Sequence, residues 1–182
     1  MYSKSFTLLR HSGQEEEFLI RRCTEADLSD IMNLQQKVYD ELAAPELYAI
    51  VEEPEIHESL LEDYCYVTYH NGNMVAFTMM IANRISHRNY GTYIGYPEER
   101  LPKCVSLEIT IVDSAYRGFG LQRLFVKIRE EEAKRHGAEE ALVTIAPTNE
   151  HSLNNFLKSG YEIIETKPLY DGAVRHILRK YL

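Results

Sequence analysis

Apolar residues fall into two rhythms along this chain, and the points where one gives way to the other mark its elements. Val105, Leu107, Ile109 and Ile111 share one face of an alternating run, and Ser106, Glu108, Thr110 and Val112 share the other. That alternation predicts a strand over 105–112 with a mildly polar second face. Leu121, Leu124, Phe125 and Ile128 then recur at helical spacing, with Glu130/Lys134 and Glu131/Arg135 as i,i+4 pairs before Gly137 ends the helix. The run 141–146 is a further apolar strand. Strand, glycine turn, helix and strand together compose a parallel crossover, right-handed by the rule such units obey. Asn149 caps another helix, with Leu153, Phe156 and Leu157 facing inward; Gly160 stops it, and 161–164 begins the last strands, hinged at Asp171-Gly172.

The N-terminal half carries the same signals. Residues 18–22 read as a short strand, and Thr24 with Asp27 three positions on is a helix-start signature. Leu28, Ile31, Met32, Gln35, Val38, Tyr39 and Leu42 form one helical stripe before Pro45 interrupts it. A shorter helix is expected over 55–63. The segments 64–70 and 74–82 flank Asn71-Gly72, whose tolerance of positive φ suits a tight hairpin turn. From 86 to 103, glycines, prolines and three tyrosines show little periodicity, so a long loop is expected there, placed to frame a pocket.

Composition narrows the field. A chain of 182 residues, 45% hydrophobic and 26% charged, fits one globular domain able to bury a core. No apolar stretch has the length of a membrane span and 1–14 lacks the apolar centre of a secretory signal, so a cytoplasmic protein is expected. Cys23, Cys65 and Cys104 lie far apart, with no pairing at metal-ligand spacing, and the seven histidines form no constellation; reduced thiols and no metal are expected. A net charge of −8 opposes nucleic acid and anionic membrane as partners. The Glu15–Glu17 and Glu130–Glu132 runs read as solvated faces.

The chemistry concentrates where the strand at 105–112 hands over to the helix. Arg117, Gly118, Phe119 and Gly120 place two glycines and an arginine before a first helical turn whose N–H groups and dipole favour an anion. A dinucleotide fingerprint would need a third glycine where Arg123 stands and an acid near the end of the next strand, where the chain has Val143 to Ala146. A nucleotide P-loop would need Gly-Lys-Ser/Thr after four intervening residues, which occurs nowhere. A coenzyme A cradle and a purely structural turn both remain open on spacing alone.

Tyr116-Arg117-Gly118-Phe119-Gly120-Leu121 closely resembles the acyl-CoA motif of GNAT N-acetyltransferases, Arg/Gln-x-x-Gly-x-Gly/Ala, with Gln122 where that family has Gly or Ala. A second signature lies about thirty residues on: Asn149, Ser152, Phe156, Gly160 and Tyr161 fall on the family's Asn-x-x-Ala/Ser, aromatic, Gly-Phe/Tyr pattern. The resemblance implies an α/β (α+β) fold, a single GNAT-type domain with a mixed central sheet of about six or seven strands and about four helices over 18–182. Residues 1–17 are an extension, either an extra strand or a disordered arm. It further implies acetyl-CoA as co-substrate. The backbone of Ile111, Val112 and Asp113 would line the pantetheine arm, that of Arg117, Gly118, Phe119, Gly120, Leu121 and Gln122 would hold the pyrophosphate, and Asn149 and Phe156 would border the pantetheine.

An amine attacking a thioester must be neutral, so a base is needed near pH 7. Glu108, on the strand face shared with Thr110 and Val112, resembles the glutamate that polyamine-type relatives carry at this point, and it is the expected catalytic base, acting directly or through water. The family's oxyanion donor is a backbone N–H of this strand, near Ile111 or Val112. Its usual thiolate-protonating tyrosine is Phe156 here, which leaves Tyr161, another of the 13 tyrosines, or water for that proton. Two further readings stay open: a degenerate domain that binds acyl-CoA without turnover, and a structural domain that binds nothing. Cys104, with no paired histidine, reads as core. Tyr90, Tyr93 and Tyr96 form either an aromatic acceptor wall or packed loop tyrosines. Glu41, Glu46, Glu52, Glu53 and Glu55 lean towards a cationic acceptor, small molecule or peptide. Dimerisation is common among such domains, so a homodimer is an open expectation.

Overall fold

The computed structural model describes residues 2–10, 12–42, 48, 50–169 and 172–182; Pro45, Glu46 and Asp171, which the sequence singles out, lie outside them. Among the described residues, eight strands form one mixed sheet in the order β1-β2-β3-β4-β5-β6-β8-β7, more than the six or seven expected. They are β1 (Ser3–Leu9), β2 (Glu15–Arg22), β3 (Tyr64–His70), β4 (Asn73–Ile81), β5 (Cys104–Val112), β6 (Glu140–Ile145), β7 (Glu162–Leu169) and β8 (Ala173–Tyr181). The described residues also hold four α-helices: α1 (Leu28–Asp40), α2 (Glu53–Glu62), α3 (Leu121–Arg135) and α4 (Glu150–Lys158). No helix among the described residues is long and apolar enough to cross a membrane.

The chain divides into two compact units, Met1–Met79 with Ile109–Leu124 and Met80–Glu108 with Phe125–Leu182. In the first, β1 and β2 form an antiparallel hairpin from Ser3↔Arg21 to Leu9↔Glu15, and β2 pairs antiparallel with β3. Asn71 at φ 49° and Gly72 at φ 80° make the turn from β3 to β4, the conformation expected of Asn-Gly. The start of α1 is fixed by Asp27, whose Oδ2 accepts from the Thr24 backbone N at 2.8 Å and from Thr24 Oγ1 at 3.1 Å. Arg21 clamps the same carboxylate at 2.6 and 2.8 Å. Burial opposes ionisation of Asp27, but the bonds from Arg21, Thr24 and Tyr69 outweigh it and hold the carboxyl at about 2. Ile31, Leu34 and Val38 of α1 pack with Ile56, Val67, Phe77, Ile109 and Ile111 in this unit's core. Leu34, outside the stripe read from sequence, is among the most buried of the helix.

In the second unit β5 and β6 pair in parallel from Cys104↔Glu140 to Ser106↔Leu142. That is the pairing a crossover through α3 requires. β8 runs antiparallel to both β6 and β7, with an irregularity between Ile163 and Glu165. Phe156 of α4 is buried, as its spacing predicts, whereas Leu157 is 42% exposed. An inward Leu157 would need a wider apolar stripe than a helix of nine residues presents here.

The segment read as a loop between β4 and β5 contains two 3-10 helices, Tyr90–Ile94 and Glu98–Lys103. Asn89, fully buried, organises it. Its amide donates to the carbonyls of Arg84, Leu101 and Cys104 at 3.0–3.2 Å, and its Oδ1 accepts from Gly91 N at 3.0 Å. Tyr90 N donates to Ser106 Oγ at 2.8 Å, which ties the segment to β5.

Candidate functional site

At the end of β5 the chain turns through Asp113, whose backbone N donates to the Val75 carbonyl at 2.9 Å. The Asp113 carboxylate caps the turn beyond it: Oδ1 accepts from Ala115 N at 3.0 Å and Oδ2 from Lys37 Nζ at 2.6 Å. The hydrogen bond to Asp113 raises the Lys37 ammonium above its ordinary range. After the 3-10 turn Ser114–Tyr116, Gly118 at φ 90° and Gly120 at φ 78° take left-handed conformations that a side chain resists. They allow the backbone to double back and launch α3 at Leu121. The four leading N–H groups of a helix have no acceptor inside it, and the positive end of its dipole lies at this end of α3.

The loop is anchored from below rather than left loose. Phe119 is buried, edge-on to Phe18 of β2 at 5.1 Å, and Tyr116 lies 5.3 Å from the His70 ring and 6.2 Å from Phe18. Arg117 is exposed. On β4, Thr78 Oγ1 donates to the Ile109 carbonyl of β5 at 2.7 Å and lies 2.9 Å from Thr110 Oγ1. Ile111, Val112 and Asp113 enter the loop, and Arg117 to Gln122 complete it, so a short run of chain brings a carboxylate cap, two positive-φ glycines and a helix start together. Ile111 is buried in the core and Val112 is part exposed, which leaves backbone as the chief contribution of Ile111.

In the other unit, Glu108 is partly buried and its Oε2 accepts from Arg88 Nη2 at 2.7 Å. The side chains are 18% and 7% exposed, so the pair is shielded from solvent. Arg88 is marked by no sequence motif; it sits in the aperiodic segment before Asn89, and only the fold brings it to β5. A charge-assisted bond of this length fixes the carboxylate in one orientation. Asn149 caps α4, its Oδ1 accepting from Ser152 N at 3.1 Å. Phe156 is packed edge-on against Tyr161 at 5.0 Å. Burial pushes the Tyr161 phenol well above its usual range, which makes it a poor source of a proton.

The loop tyrosines divide. Tyr90 is buried and stacked on Tyr93 at 5.4 Å, and Tyr96 donates to Glu140 Oε2 at 2.9 Å beneath the Arg100 guanidinium. Tyr90 and Tyr96 are thus part of the packing. Glu41, Glu52, Glu53 and Glu55 are exposed, at the end of α1 and the start of α2. The three cysteines are free and buried, and burial pushes the Cys104 thiol up to about 11, which removes it as a nucleophile near neutrality. Among the described residues no group of three or more His, Cys, Asp or Glu side chains could hold a metal ion.

Residues 28–161 match the Acetyltransferase (GNAT) family. The fold is similar to the GNAT domain of PAT from S. lividans, at TM-score 0.71 and 16% identity over 98% of this chain and 97% of that one. It is similar also to a ribosomal-protein-alanine N-acetyltransferase from Brucella melitensis, at TM-score 0.69 and 20% identity over 90% and 99%. A third is yncA, a putative acetyltransferase from Salmonella typhimurium with its cofactor acetyl-CoA, at TM-score 0.67 and 18% identity over 91% and 94%. Against curated proteins the sequence has no match.

Proposed function

This chain belongs to the GNAT acetyltransferase family, and we propose that it transfers an acetyl group from acetyl-CoA to a primary amine by direct attack in a ternary complex. The observation that carries this reading is the loop from Asp113 to Gln122, where Gly118 and Gly120 adopt positive φ directly before α3. A backbone so shaped admits a phosphate close to the N–H groups of a helix start at its positive dipole end. The residues present fit a pyrophosphate: Asp113 is already neutralised by Lys37, and exposed Arg117 adds charge. Acetyl-CoA would supply an activated thioester; the Arg117–Gln122 backbone would hold its phosphates and the backbone of Ile111 to Asp113 its pantetheine.

Glu108 takes a proton from the acceptor's ammonium, which frees the neutral amine to attack the thioester carbonyl and expel the CoA thiolate. Arg88 supports this role by fixing the carboxylate on the polar face of β5. Water protonates the departing thiolate, since Phe156 has no proton to give and buried Tyr161 holds its own tightly. The acceptor is an amine of a small molecule or peptide, and the exposed Glu41, Glu52, Glu53 and Glu55 favour one that is cationic. The Brucella neighbour, an alanine N-acetyltransferase of ribosomal protein, supports an amine acceptor. The reading places the enzyme in the cytoplasm, without metal and without nucleic-acid or membrane partners, and leaves a homodimer open.

Phe156 favours a second reading, a domain that binds acyl-CoA as a sensor without turnover. Thiol release from acetyl-CoA against a panel of polyamines, amino acids and peptides separates the two, with Glu108→Gln run in parallel. Amine-dependent release by the wild type and its loss in Glu108→Gln supports the enzyme. Binding with no release on any amine supports the sensor.

A further inference from the structure

Arg10 belongs to neither sequence signature and lies beyond the end of β1, yet its side chain reaches the phosphate loop. Its Nε donates to the Arg117 carbonyl at 3.1 Å and its Nη2 to the Ala115 carbonyl at 3.1 Å. The guanidinium carbon stands 5.3 Å above the centre of the Phe119 ring, and a Cβ built on Gly118 would lie 3.4 Å from Arg10 Cγ. The base of the side chain is itself held, since Arg10 N donates to the Gln14 carbonyl at 2.7 Å and the Arg10 carbonyl accepts from Gly13 N at 2.8 Å. One guanidinium thus meets Ala115, Arg117 and Phe119 across more than a hundred residues of sequence, through two hydrogen bonds and a cation–π contact.

Two loop carbonyls drawn to one side leave the intervening peptides little freedom to rotate, which fixes the direction of their N–H groups as well. We propose that Arg10 is a positioning residue for the acyl-CoA phosphates: the β1–β2 hairpin carries a guanidinium brace that holds residues 115–119 in their phosphate-receiving shape before the ligand arrives. This rests on the acetyl-CoA reading above. A loop ordered in advance gives up less conformational freedom on binding, so affinity rises without any contact between Arg10 and the ligand. Arg10 also brings a positive charge to the loop's flank, which favours a polyanion.

The test compares CoA with pantetheine, the part of CoA that has no phosphate, by calorimetric titration of wild type, Arg10→Ala and Arg10→Lys. Losing a charged hydrogen-bonding partner should raise the Kd for CoA about tenfold in Arg10→Ala. Pantetheine affinity should stay within about twofold, and Arg10→Lys, a point charge without the planar fork, should restore CoA binding only in part. Amide exchange over 115–119 in the ligand-free protein should accelerate in Arg10→Ala, a readout that stands even where pantetheine binds too weakly to titrate. An unchanged CoA affinity, an equal loss for CoA and pantetheine, or unaltered exchange over 115–119 overturns the proposal. If Arg10→Ala does not fold, Arg10→Lys is judged by the same two ligands and the same amides. Failure of the wild type to bind CoA would strike the parent reading instead.

Discussion

The loop from Asp113 to Leu121 and the surroundings of Glu108 are built on opposite plans. From Asp113 to Leu121 the shape is local: a capping carboxylate, a 3-10 turn and two positive-φ glycines within nine residues. Around Glu108 nothing is local, because its partner Arg88 arrives 20 residues earlier in the chain, from a segment ordered by the buried amide of Asn89. A local device is written into residue types, since few residues other than glycine accept φ near 90°. A device assembled over distance depends on which side chains the fold brings together, and it is free to change as the acceptor changes. The loop should therefore control donor affinity and the Glu108 side should control the chemistry.

Variants can break that division. The largest effect is expected from Glu108→Gln, which keeps the hydrogen-bonding shape but removes the base: kcat should fall about 100-fold or more, while the Kd for acetyl-CoA moves less than about twofold. A comparable loss of donor binding would mean that the two regions are not separable. Next comes Gly120→Val, which forces a β-branched residue into φ 78°. At a strain of about 1–3 kcal/mol, donor affinity measured by calorimetry should drop about tenfold or more. If CoA binds Gly120→Val as tightly as wild type, the loop is not the phosphate site.

Gly91→Val probes the distant construction. A Cβ there would stand 2.8 Å from Leu101 Cδ2 and 3.1 Å from Asn89 Oδ1. Overpacking of this kind costs about 1–3 kcal/mol, so thermal unfolding should show a lower Tm and kcat should fall more than donor affinity. An unchanged Tm would show that the segment yields freely.

The smallest effect lies outside both regions and serves as a control. Asp27 is depressed from its ordinary 3.8 to about 2 in the folded chain. Its contribution to stability is complete above the unfolded value and is lost as pH falls from about 4 towards 2, because only the unfolded state takes up the proton first. Denaturant titrations should lose about 2 kcal/mol over that window, and Asp27→Asn should lose most of the dependence. A flat profile in the wild type would contradict the Arg21 clamp.

Legibility from sequence divides along the same local and distant line. The alternation of β5, the spacing of α3, the Asn71-Gly72 turn and the cap at Asn149 all rest on neighbours within a few residues, and each appears where periodicity and turn chemistry place it. β1 is a different case: most of Ser3–Leu9 is exposed, so it carries no core-facing signal, and its strand character comes from hydrogen bonding to β2. Arg88, Lys37, Thr78 and Arg10 are silent in the sequence for a related reason. Each matters through a partner 20 or more residues away, and nothing in its own neighbourhood marks it. Leu157 errs the other way, apolar at inward spacing yet 42% exposed, since it lies about 100° round the helix from buried Phe156.

The most direct test of the account is calorimetric titration of the wild-type chain with acetyl-CoA. Saturable one-site binding with a Kd of about 1 μM–1 mM, the span of ordinary enzyme substrates, is the predicted result. No heat and no competition by CoA at millimolar ligand would contradict it.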